Sequence, residues 1–186
     1  MNTIVAVDLD KTYLKIDSVK LFITLNIFDF DVLKLVFKRI LNLITKKEFH
    51  FDISKKIMNK QLKKNHTFYK LLKLFINQDL KKLILNKFDN EKIVILSNSP
   101  QCIVNNFINQ KDNIYGIGLN PFDEDIKLDR SQVKINSLEK QFNSNEYKYL
   151  FIISDNHDDI KIFDKFQSSF YWNKNLQDFT KYLESI

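Results

Sequence analysis

Three short apolar runs, each ending in polar side chains, predict the framework of the fold. The runs and their ends are 4–7 before Asp8 and Asp10, 93–96 before Ser97, and 149–153 before Asp155 and Asp159. Apolar runs of this length that are rich in β-branched residues are typical of strands buried on both faces of a parallel sheet. If the three strands are parallel neighbours, their polar ends gather at the edge where open α/β sheets bind ligands.

Helical spacing dominates the stretch between the first and second strands. No glycine or proline occurs from residue 13 to residue 99. Apolar positions in 17–44 and 65–87 follow the periodicity of amphipathic helices. Asp52 and Ser54 are candidate N-caps for a Lys-rich helix between these two segments.

One apolar stripe in this stretch is unusually wide. It consists of Leu33, Val36, Phe37, Ile40, Leu41 and Ile44, and it is widened by Val32, Leu35 and Leu43. Such a stripe beside Lys and Arg suits a buried insertion helix, a groove for a partner or a membrane surface. We expect burial, and the other two interpretations stay open.

The remaining elements complete an α/β pattern. They are a short strand at 115–119, a helix through Ile135, Leu138 and Phe142, a helix from Ile160, and a closing strand at 169–172. The predicted fold class is therefore α/β, a Rossmann-like parallel sheet core with an α-helical cap inserted after the first strand. The predicted domains are a core of 1–14 and 76–186 and a cap of 15–75.

Composition limits the class of protein. A chain of 186 residues with 44% apolar residues is long enough for one domain with a modest insertion and a sizeable core. Cys102 is the single cysteine, which excludes an internal disulfide and favours a reducing, cytoplasmic location. We interpret Cys102 as a core residue, and the chain shows neither a signal-peptide pattern nor an apolar run long enough for a membrane span.

Charge is distributed unevenly around a net value of +6. The basic residues crowd one region: Lys34, Lys38, Arg39, Lys46, Lys47, Lys55, Lys56, Lys60, Lys63 and Lys64. This pattern is explained most simply by a solvated face, and it also favours anionic partners such as phosphates or anionic lipid. Charge alone supports nucleic acid only weakly, and we expect no nucleic-acid partner.

The polar ends of the strands indicate phosphoryl transfer. Two carboxylates at the end of a buried strand repel each other, and a cation usually offsets that repulsion. A metal ion could neutralise the carboxylates while a lysine and a hydroxyl orient a phosphate. One carboxylate would then be able to attack the phosphorus and form an aspartyl-phosphate.

Together these residues resemble the motifs of the haloacid dehalogenase (HAD) superfamily. The matching motifs are Asp8-Leu9-Asp10-Lys11-Thr12, Ser97, Lys134 and Asp155-x-x-x-Asp159, in the family's order over nearly the whole chain. Within the superfamily the chain is similar to the phosphoserine-phosphatase-like branch, with a helical cap after the first strand. It looks closest to the phosphatase-like domains associated with polyprenyl-type membrane prenyltransferases.

The resemblance implies a catalytic pair and a Mg²⁺ site. Asp8 would be the nucleophile and a metal ligand, and Asp10 would be the general acid/base, with its backbone carbonyl on the metal. Thr12 would support the loop around the substrate. Asp155 would ligate Mg²⁺, and Asp159 would help directly or through water.

The resemblance also implies a phosphate-binding set. Ser97 would bind the phosphoryl group with help from the backbone N–H of Asn98. Lys134 would bridge the phosphate and the nucleophile, but the third motif could instead rest on Lys127 or Arg130. The expected substrate is a phosphorylated small molecule or a lipid-linked phosphate.

The chain departs from the family pattern at two positions near the site, and two hypotheses about its function remain. Lys11 stands where glycine is common, and Ser154 replaces the usual glycine before the fourth motif. The main hypothesis is a Mg²⁺-dependent phosphomonoester hydrolase. The alternative is a catalytically weak phosphatase-like binding module for a membrane enzyme or another partner, which would be peripheral to the membrane.

Overall fold

A parallel five-stranded sheet forms the centre of the protein, as seen in a computed structural model that describes residues 2–61, 66–122, 129–156 and 159–171. The strands are β1 Asn2–Val7, β2 Lys92–Pro100, β3 Ile114–Leu119, β4 Tyr147–Ser154 and β5 Ser168–Tyr171. They lie in the order β3-β2-β1-β4-β5, and every neighbouring pair is parallel. The predicted α/β, Rossmann-like sheet is therefore confirmed, with β1 in the middle.

Eight α-helices and a short 3₁₀ helix, Gln110–Asp112, accompany the sheet in the described residues. The α-helices are α1 Ser18–Leu25, α2 Phe30–Ile40, α3 Lys46–Gln61, α4 His66–Leu74, α5 Gln78–Lys87, α6 Gln101–Val104, α7 Arg130–Gln141 and α8 Ile160–Phe163. Five of these helices lie between β1 and β2 in sequence. None of the helices in the described ranges is long and apolar enough to cross a membrane.

The two faces of the sheet are covered by different helices. Because side chains alternate along a strand, Val5 and Val7 point to one face and Ile4 and Ala6 to the other. The first face joins the helices between β1 and β2 in one apolar cluster. The second face packs on α7 and α8. All four of these β1 side chains are buried completely, as predicted for a strand covered on both sides.

The helical segment after β1 leaves and rejoins the sheet at one point. Leu14 and Ile76 form an isolated antiparallel bridge. The N–H of Lys15 donates to the carbonyl of Phe75, and the N–H of Asn77 donates to the carbonyl of Tyr13. The pairing brings the two ends of the segment together, while its helices share an apolar cluster with the sheet. A separate cap of 15–75 stays a prediction.

The apolar stripe of 32–44 is not buried as expected. In α2 and the residues that follow it, Val32 is buried, whereas Phe37, Ile40, Leu41 and Leu43 are exposed. The expectation was wrong because helical spacing shows which residues share a face, and only tertiary contacts decide which face is covered.

Helix boundaries inside the segment also differ from the sequence expectation. The stretch 17–44 splits into two helices, capped by the side chains of Asp17 and Asp29. The Lys-rich helix begins at Lys46, where Thr45 and Glu48 exchange side-chain-to-backbone hydrogen bonds in a capping box. Asp52 and Ser54 therefore lie inside the helix and do not cap it.

Strand β2 is longer than predicted and ends close to α6. It continues through Ser97 to Pro100, with a register shift between Leu96 and Pro100. Pro100 is the N-cap of α6, a helix of four residues. A Cβ at Gly118 of β3 would lie 2.7 Å from the Cα of Gln101, so glycine allows this close packing. The end of the predicted closing strand, at Trp172, lies outside the described residues.

Candidate active site

The nucleophile candidate lies directly after the central strand. The N–H of Asp8 donates to the carbonyl of Ile153 in β4, which holds the end of β1 against its neighbour. Lys134 reaches this position from α7, and its Nζ lies 3.0 Å from Asp8 Oδ1 and 2.7 Å from Asp159 Oδ2. All three side chains are buried. One ammonium group therefore joins two carboxylates that are far apart in sequence.

Burial dominates the electrostatics of Asp8. It raises the pKa of the Asp8 carboxyl from 3.8 to about 7, against the opposing effect of the Lys134 ammonium. The nearby carboxylates of Asp159 and Asp10 contribute to this rise. Burial lowers the pKa of Lys134, but the two carboxylates outweigh it and the net pKa is raised. Lys134 is therefore charged at neutral pH, and it compensates the negative charge of the site only in part.

Asp159 has one engaged and one unengaged oxygen. Its Oδ2 accepts hydrogen bonds from Lys134 and from the hydroxyl of Ser154, the latter at 2.6 Å. Its Oδ1 is buried and has no hydrogen-bond partner among the described residues. A buried carboxylate oxygen without a donor costs free energy, which a cation or a water molecule at that position would recover.

Asp10 is held by two serines from different parts of the chain. Its Oδ1 accepts from the backbone N–H of Ser18, at the start of α1, at 2.7 Å. Its Oδ2 accepts from the hydroxyl of Ser99, at the end of β2, at 2.5 Å. The hydroxyls of Ser18 and Ser99 lie 2.9 Å apart. Because Ser99 gives its single hydrogen to Asp10, Ser18 donates to Ser99. The network fixes the orientation of Asp10.

Burial also raises the pKa of the Asp10 carboxyl. Hydrogen bonds from Ser99 and from Ser18 oppose this effect without cancelling it. A carboxyl that keeps its proton to higher pH than usual is suited to act as a general acid. The neighbouring Asp8 carboxyl is held differently, by an ammonium group, so the two groups have environments suited to different tasks.

Ser97, Asn98 and Thr12 are placed near this edge without direct contacts to the carboxylates. The hydroxyl of Ser97 accepts from the N–H of Ser99, and Asn98 is a half-buried residue of β2. Thr12 is completely buried, and its hydroxyl has no hydrogen-bond partner among the described residues. Its carbonyl accepts from the side chain of Asn77 at 3.5 Å. The phosphate-binding roles of these residues stay predictions.

Asp155 lies at the solvent side of the site. Its Oδ2 is 3.7 Å from the Nζ of Lys11. Burial raises the pKa of Asp155, while the positive charges of Lys11 and Lys134 lower it in part. Lys11 belongs to a π-type turn, Leu9–Tyr13, and has a φ of 58°, in the left-handed region. The turn places Lys11 opposite the end of β4.

Three cations were candidates for the third motif. Lys134 contacts Asp8 and Asp159 directly. Arg130 begins α7 one turn earlier and is half-buried. Lys127 lies outside the described residues.

Helix α3 brings further basic side chains close to the start of α7. Burial lowers the pKa of His50 to about 4, and the charge of Arg130 contributes to this shift. The ion pair with Lys161 lowers the pKa of Asp129, and Lys47 adds to this effect. His50 is therefore neutral at neutral pH.

The sequence analysis did not identify three serines that contact the carboxylates. Asp10 accepts hydrogen bonds from the N–H of Ser18 and the hydroxyl of Ser99. Asp159 accepts one from the hydroxyl of Ser154. Ser99 could have been found, since it lies two positions after Ser97 in a strand and so shares its face. Ser154 was noted only as a departure from glycine. Ser18 gives no signal in the sequence beyond its position at the start of a helix.

Comparison with solved structures identifies proteins of the same fold. A protein of unknown function from Bordetella pertussis Tohama I matches with a TM-score of 0.67 and 10% identity, over 100% of this chain and 96% of that chain. A HAD family hydrolase from Salmonella enterica subsp. enterica serovar Typhi matches with a TM-score of 0.52 and 12% identity, over 89% of this chain. The alignment spans 60% of the Salmonella protein. The chain therefore shares its fold with both of these proteins.

One further solved structure matches the chain with a lower TM-score. A HAD family enzyme from Bacteroides thetaiotaomicron, in complex with magnesium and inorganic phosphate, matches with a TM-score of 0.45 and 15% identity. That match covers 94% of this chain and 98% of the other. No protein-family model and no curated protein matches the chain.

The oxygen donors at the edge of the sheet fit a hard divalent cation. Asp8 is buried with too little positive charge around it, and Asp159 Oδ1 lacks a hydrogen-bond partner among the described residues. Within the described ranges no three His, Cys, Asp or Glu side chains converge as a metal cluster. Mg²⁺ does not require one, since it is usually held by one or two carboxylates together with water and phosphate oxygens.

Proposed function

We propose that the protein is a Mg²⁺-dependent phosphomonoester hydrolase of the HAD superfamily that forms an aspartyl-phosphate on Asp8. The observation that carries the proposal is the buried contact of Lys134 with both Asp8 and Asp159 at the carboxyl edge of β1. Asp10, two residues after the nucleophile, is held separately by Ser99 and Ser18. This arrangement separates a nucleophile from an acid.

The chemistry follows from these positions. A carboxylate oxygen of Asp8 attacks the phosphorus, and the ester P–O bond breaks. Asp10 gives its proton to the departing oxygen, which leaves as an alcohol. Asp10 then takes a proton from a water molecule as that water attacks the aspartyl-phosphate, which releases inorganic phosphate and restores Asp8. Lys134 stabilises the negative charge that develops on the phosphoryl oxygens.

The residues that would hold Mg²⁺ are Asp8 and Asp155, with the backbone carbonyl of Asp10 and with Asp159 directly or through water. When bound, Mg²⁺ supplies positive charge that lets the Asp8 carboxylate approach an anionic phosphate. Without it, Asp8, Asp10, Asp155 and Asp159 are offset by only two ammonium groups, those of Lys134 and Lys11, among the described contacts.

A finer assignment within the superfamily is also proposed. The helices between β1 and β2 support the phosphoserine-phosphatase-like branch, and we propose that they act as a cap that selects the substrate. The contact of Ser18 with Asp10 supports this role, because it links the first helix of the segment to the proposed acid. The substrate class is a phosphorylated small molecule or a lipid-linked phosphate. The similarity to domains associated with prenyltransferases stays a prediction.

Substitution of the nucleophile tests the mechanism. We expect Asp8→Asn to lower the turnover of p-nitrophenyl phosphate by at least about 10³-fold, because the amide cannot form the covalent bond proposed for the Asp8 carboxylate. Asp89→Asn, which changes an exposed carboxylate, is the matched control. Chelation should stop the wild-type reaction and Mg²⁺ should restore it. Wild-type rates from the Asp8→Asn variant, or activity unaffected by chelation, would contradict the mechanism.

A second candidate function is a phosphatase-like module that binds a partner and turns over little substrate. The observation that favours it is the set of large apolar side chains exposed on α2 and in the turn before it. The two functions differ in a screen of phosphorylated metabolites, polyprenyl phosphates and nucleotides. Turnover that requires Mg²⁺ and Asp8 supports the enzyme, and the absence of turnover on every compound supports the module.

A further inference from the structure

Helix α2 and the residues just before and after it expose a group of large apolar side chains, here named the apolar corner. Its members, with their exposed fractions, are Phe28 (99%), Phe30 (77%), Phe37 (53%), Ile40 (66%), Leu41 (64%) and Leu43 (68%). Single exposed apolar residues are common on protein surfaces, but a group on one helix and its flanking residues that includes three phenylalanines indicates a contact surface.

Helix α2 has an apolar face that points away from the core, in addition to the side that packs against it. At about 100° per residue, Phe30, Phe37 and Leu41 lie within about 40° of one another around the helix axis. Val32, the buried residue of α2, lies on roughly the opposite side. The helix therefore packs through one apolar side and presents a second one to the surface.

A basic groove borders the apolar corner. It lies between α2 and α3, has a volume of about 330 Å³, and is lined by Lys34, Lys38, Lys55 and Lys56 together with Asp31 and Asp52. Lys56 forms an ion pair with Asp31. Around α2, Lys34 and Lys38 follow directly after the apolar face, at about 40° and 80° from Phe30. Four lysines against two aspartates leave the groove positively charged.

We propose that the apolar corner and the basic groove together dock the protein on an anionic lipid membrane. Apolar residues on one face of a helix, with lysines at the border of that face, are the pattern of helices that lie in a membrane interface. The phenylalanines would enter the acyl boundary, and Lys34 and Lys38 would meet lipid phosphates and carboxylates.

The charges and the shape of the surface both favour this occupant. Two copies of the chain that met through the apolar corner would bring two rows of lysines together, which is unfavourable. Phe28 projects almost completely from a turn, and a protein partner would need a matching pocket for it. A bilayer needs no such pocket, since acyl chains adapt to the inserted side chain.

Docking would also place the candidate active site close to the lipid surface. The first residue of α1, Ser18, donates to Asp10, and the helix ends at Leu25 next to the apolar corner. Eight helical residues span about 12 Å. Membrane docking does not depend on the proposed phosphatase activity. The Asp8→Asn variant should therefore bind membranes as the wild-type chain does.

Vesicle sedimentation tests the proposal. We expect the full chain to sediment with phosphatidylcholine vesicles that contain about 30 mol% phosphatidylserine, and to bind pure phosphatidylcholine far more weakly. Phe28→Ser combined with Phe37→Ser should lower the partition coefficient by about tenfold or more. Lys34→Glu combined with Lys38→Glu should lower binding and weaken its dependence on salt.

Matched controls separate docking from loss of structure. Leu74→Ser removes an equally exposed apolar side chain outside the apolar corner, and Lys140→Glu with Lys148→Glu reverses two exposed charges outside the basic groove. Both controls should bind anionic vesicles as the wild-type chain does. Circular dichroism melts of every variant should confirm that the fold is kept.

Three results would overturn the proposal. The first is failure of the wild-type chain to sediment with anionic vesicles. The second is binding that is unchanged in the phenylalanine variant or in the Lys34 and Lys38 variant. The third is self-association in analytical ultracentrifugation that the phenylalanine substitutions abolish in a chain that does not bind vesicles, which would assign the apolar corner to a second copy.

Discussion

At the scale of single residues, the protein keeps a carboxylate where burial disfavours its charge. Asp8 is buried, and its pKa is raised to about 7 although Lys134 lies 3.0 Å away. A structural ion pair would normally lower the pKa of its acid. Such a raised pKa is typical of groups kept for chemistry, and it supports the proposed role of Asp8 as the nucleophile.

The raised pKa of Asp8 should make the free energy of unfolding depend on pH. A carboxyl with a raised folded-state pKa contributes stability that is fully present below its ordinary value of 3.8 and is lost as pH rises through about 7. We expect Asp8→Asn, in chelator, to be more stable than the wild-type chain at pH 8 by at least about 1 kcal/mol, or about 2–4 °C in Tm.

The prediction is checked by the pH dependence of the stability difference between Asp8→Asn and the wild-type chain. This difference should shrink as pH falls from about 8 towards about 4, because the wild-type carboxyl then becomes neutral like the amide. Thermal melts of both chains across this range, with Asp89→Asn as the control for an exposed carboxylate, measure it. An Asp8→Asn chain that is less stable at pH 8 would show that Asp8 serves mainly as a structural ion-pair partner.

Loss of the Ser99 hydroxyl should lower the hydrolysis rate more for a substrate with a poor leaving group than for one with a good leaving group. Ser99→Ala removes the donor that holds Asp10 Oδ2, so protonation of the departing oxygen should suffer. We expect the rate on phenyl phosphate to fall about tenfold and the rate on p-nitrophenyl phosphate, a better leaving group, to fall less than about threefold. Ser169→Ala, which removes an exposed hydroxyl bonded to a backbone carbonyl, is the control. Equal losses on both substrates would contradict the role of Ser99 as a positioning residue for the acid.

At the scale of elements, the π-type turn after β1 carries backbone strain at Lys11. A φ of 58° is accessible to glycine without cost but costs other residues about 1 kcal/mol or more. The side chain of Lys11 also pairs with Asp155, so a direct change to glycine alters two things.

A comparison of two variants isolates the backbone contribution. We expect Lys11→Gly to be more stable than Lys11→Ala by about 1 kcal/mol in urea unfolding, since both lack the ion pair and differ only in the strain. The same pair at Lys82, inside α5, should show the opposite order, because glycine weakens a helix interior. Equal stability of the two Lys11 variants would mean that the turn relaxes.

At the scale of the whole molecule, the helical segment and the sheet share one apolar cluster. Val5 and Val7 of β1 lie in the same cluster as Phe22, Ile53 and Phe68 of the segment. Removal of the segment would expose that face of the sheet to water.

Unfolding should therefore occur in one cooperative step. We expect a single calorimetric transition, with the calorimetric enthalpy equal to the van't Hoff enthalpy, and coincident melts in far- and near-ultraviolet circular dichroism. Two transitions, with loss of helix before loss of the sheet, would show that the segment is an independent unit.

The sequence by itself determined the sheet and the chemical character of its edge. Apolar runs such as 4–7 bury both faces of a strand, and this local pattern needs no knowledge of distant residues. The motifs in the sequence name Asp8, Lys134 and Asp159 as candidates for one site, and in the structure Lys134 contacts both carboxylates. Their roles in catalysis and metal binding stay predictions.

Tertiary structure alone decided the contacts that depend on distant parts of the chain. Ser99 and Ser18 meet Asp10 because β2 ends close to the point where α1 begins. Lys134 reaches Asp8 across 126 positions of sequence. Tertiary structure also decided which apolar side chains are exposed. Helical spacing is the same for a stripe that faces the core and for one that faces the surface, so Phe37 could not be assigned to either from its pattern.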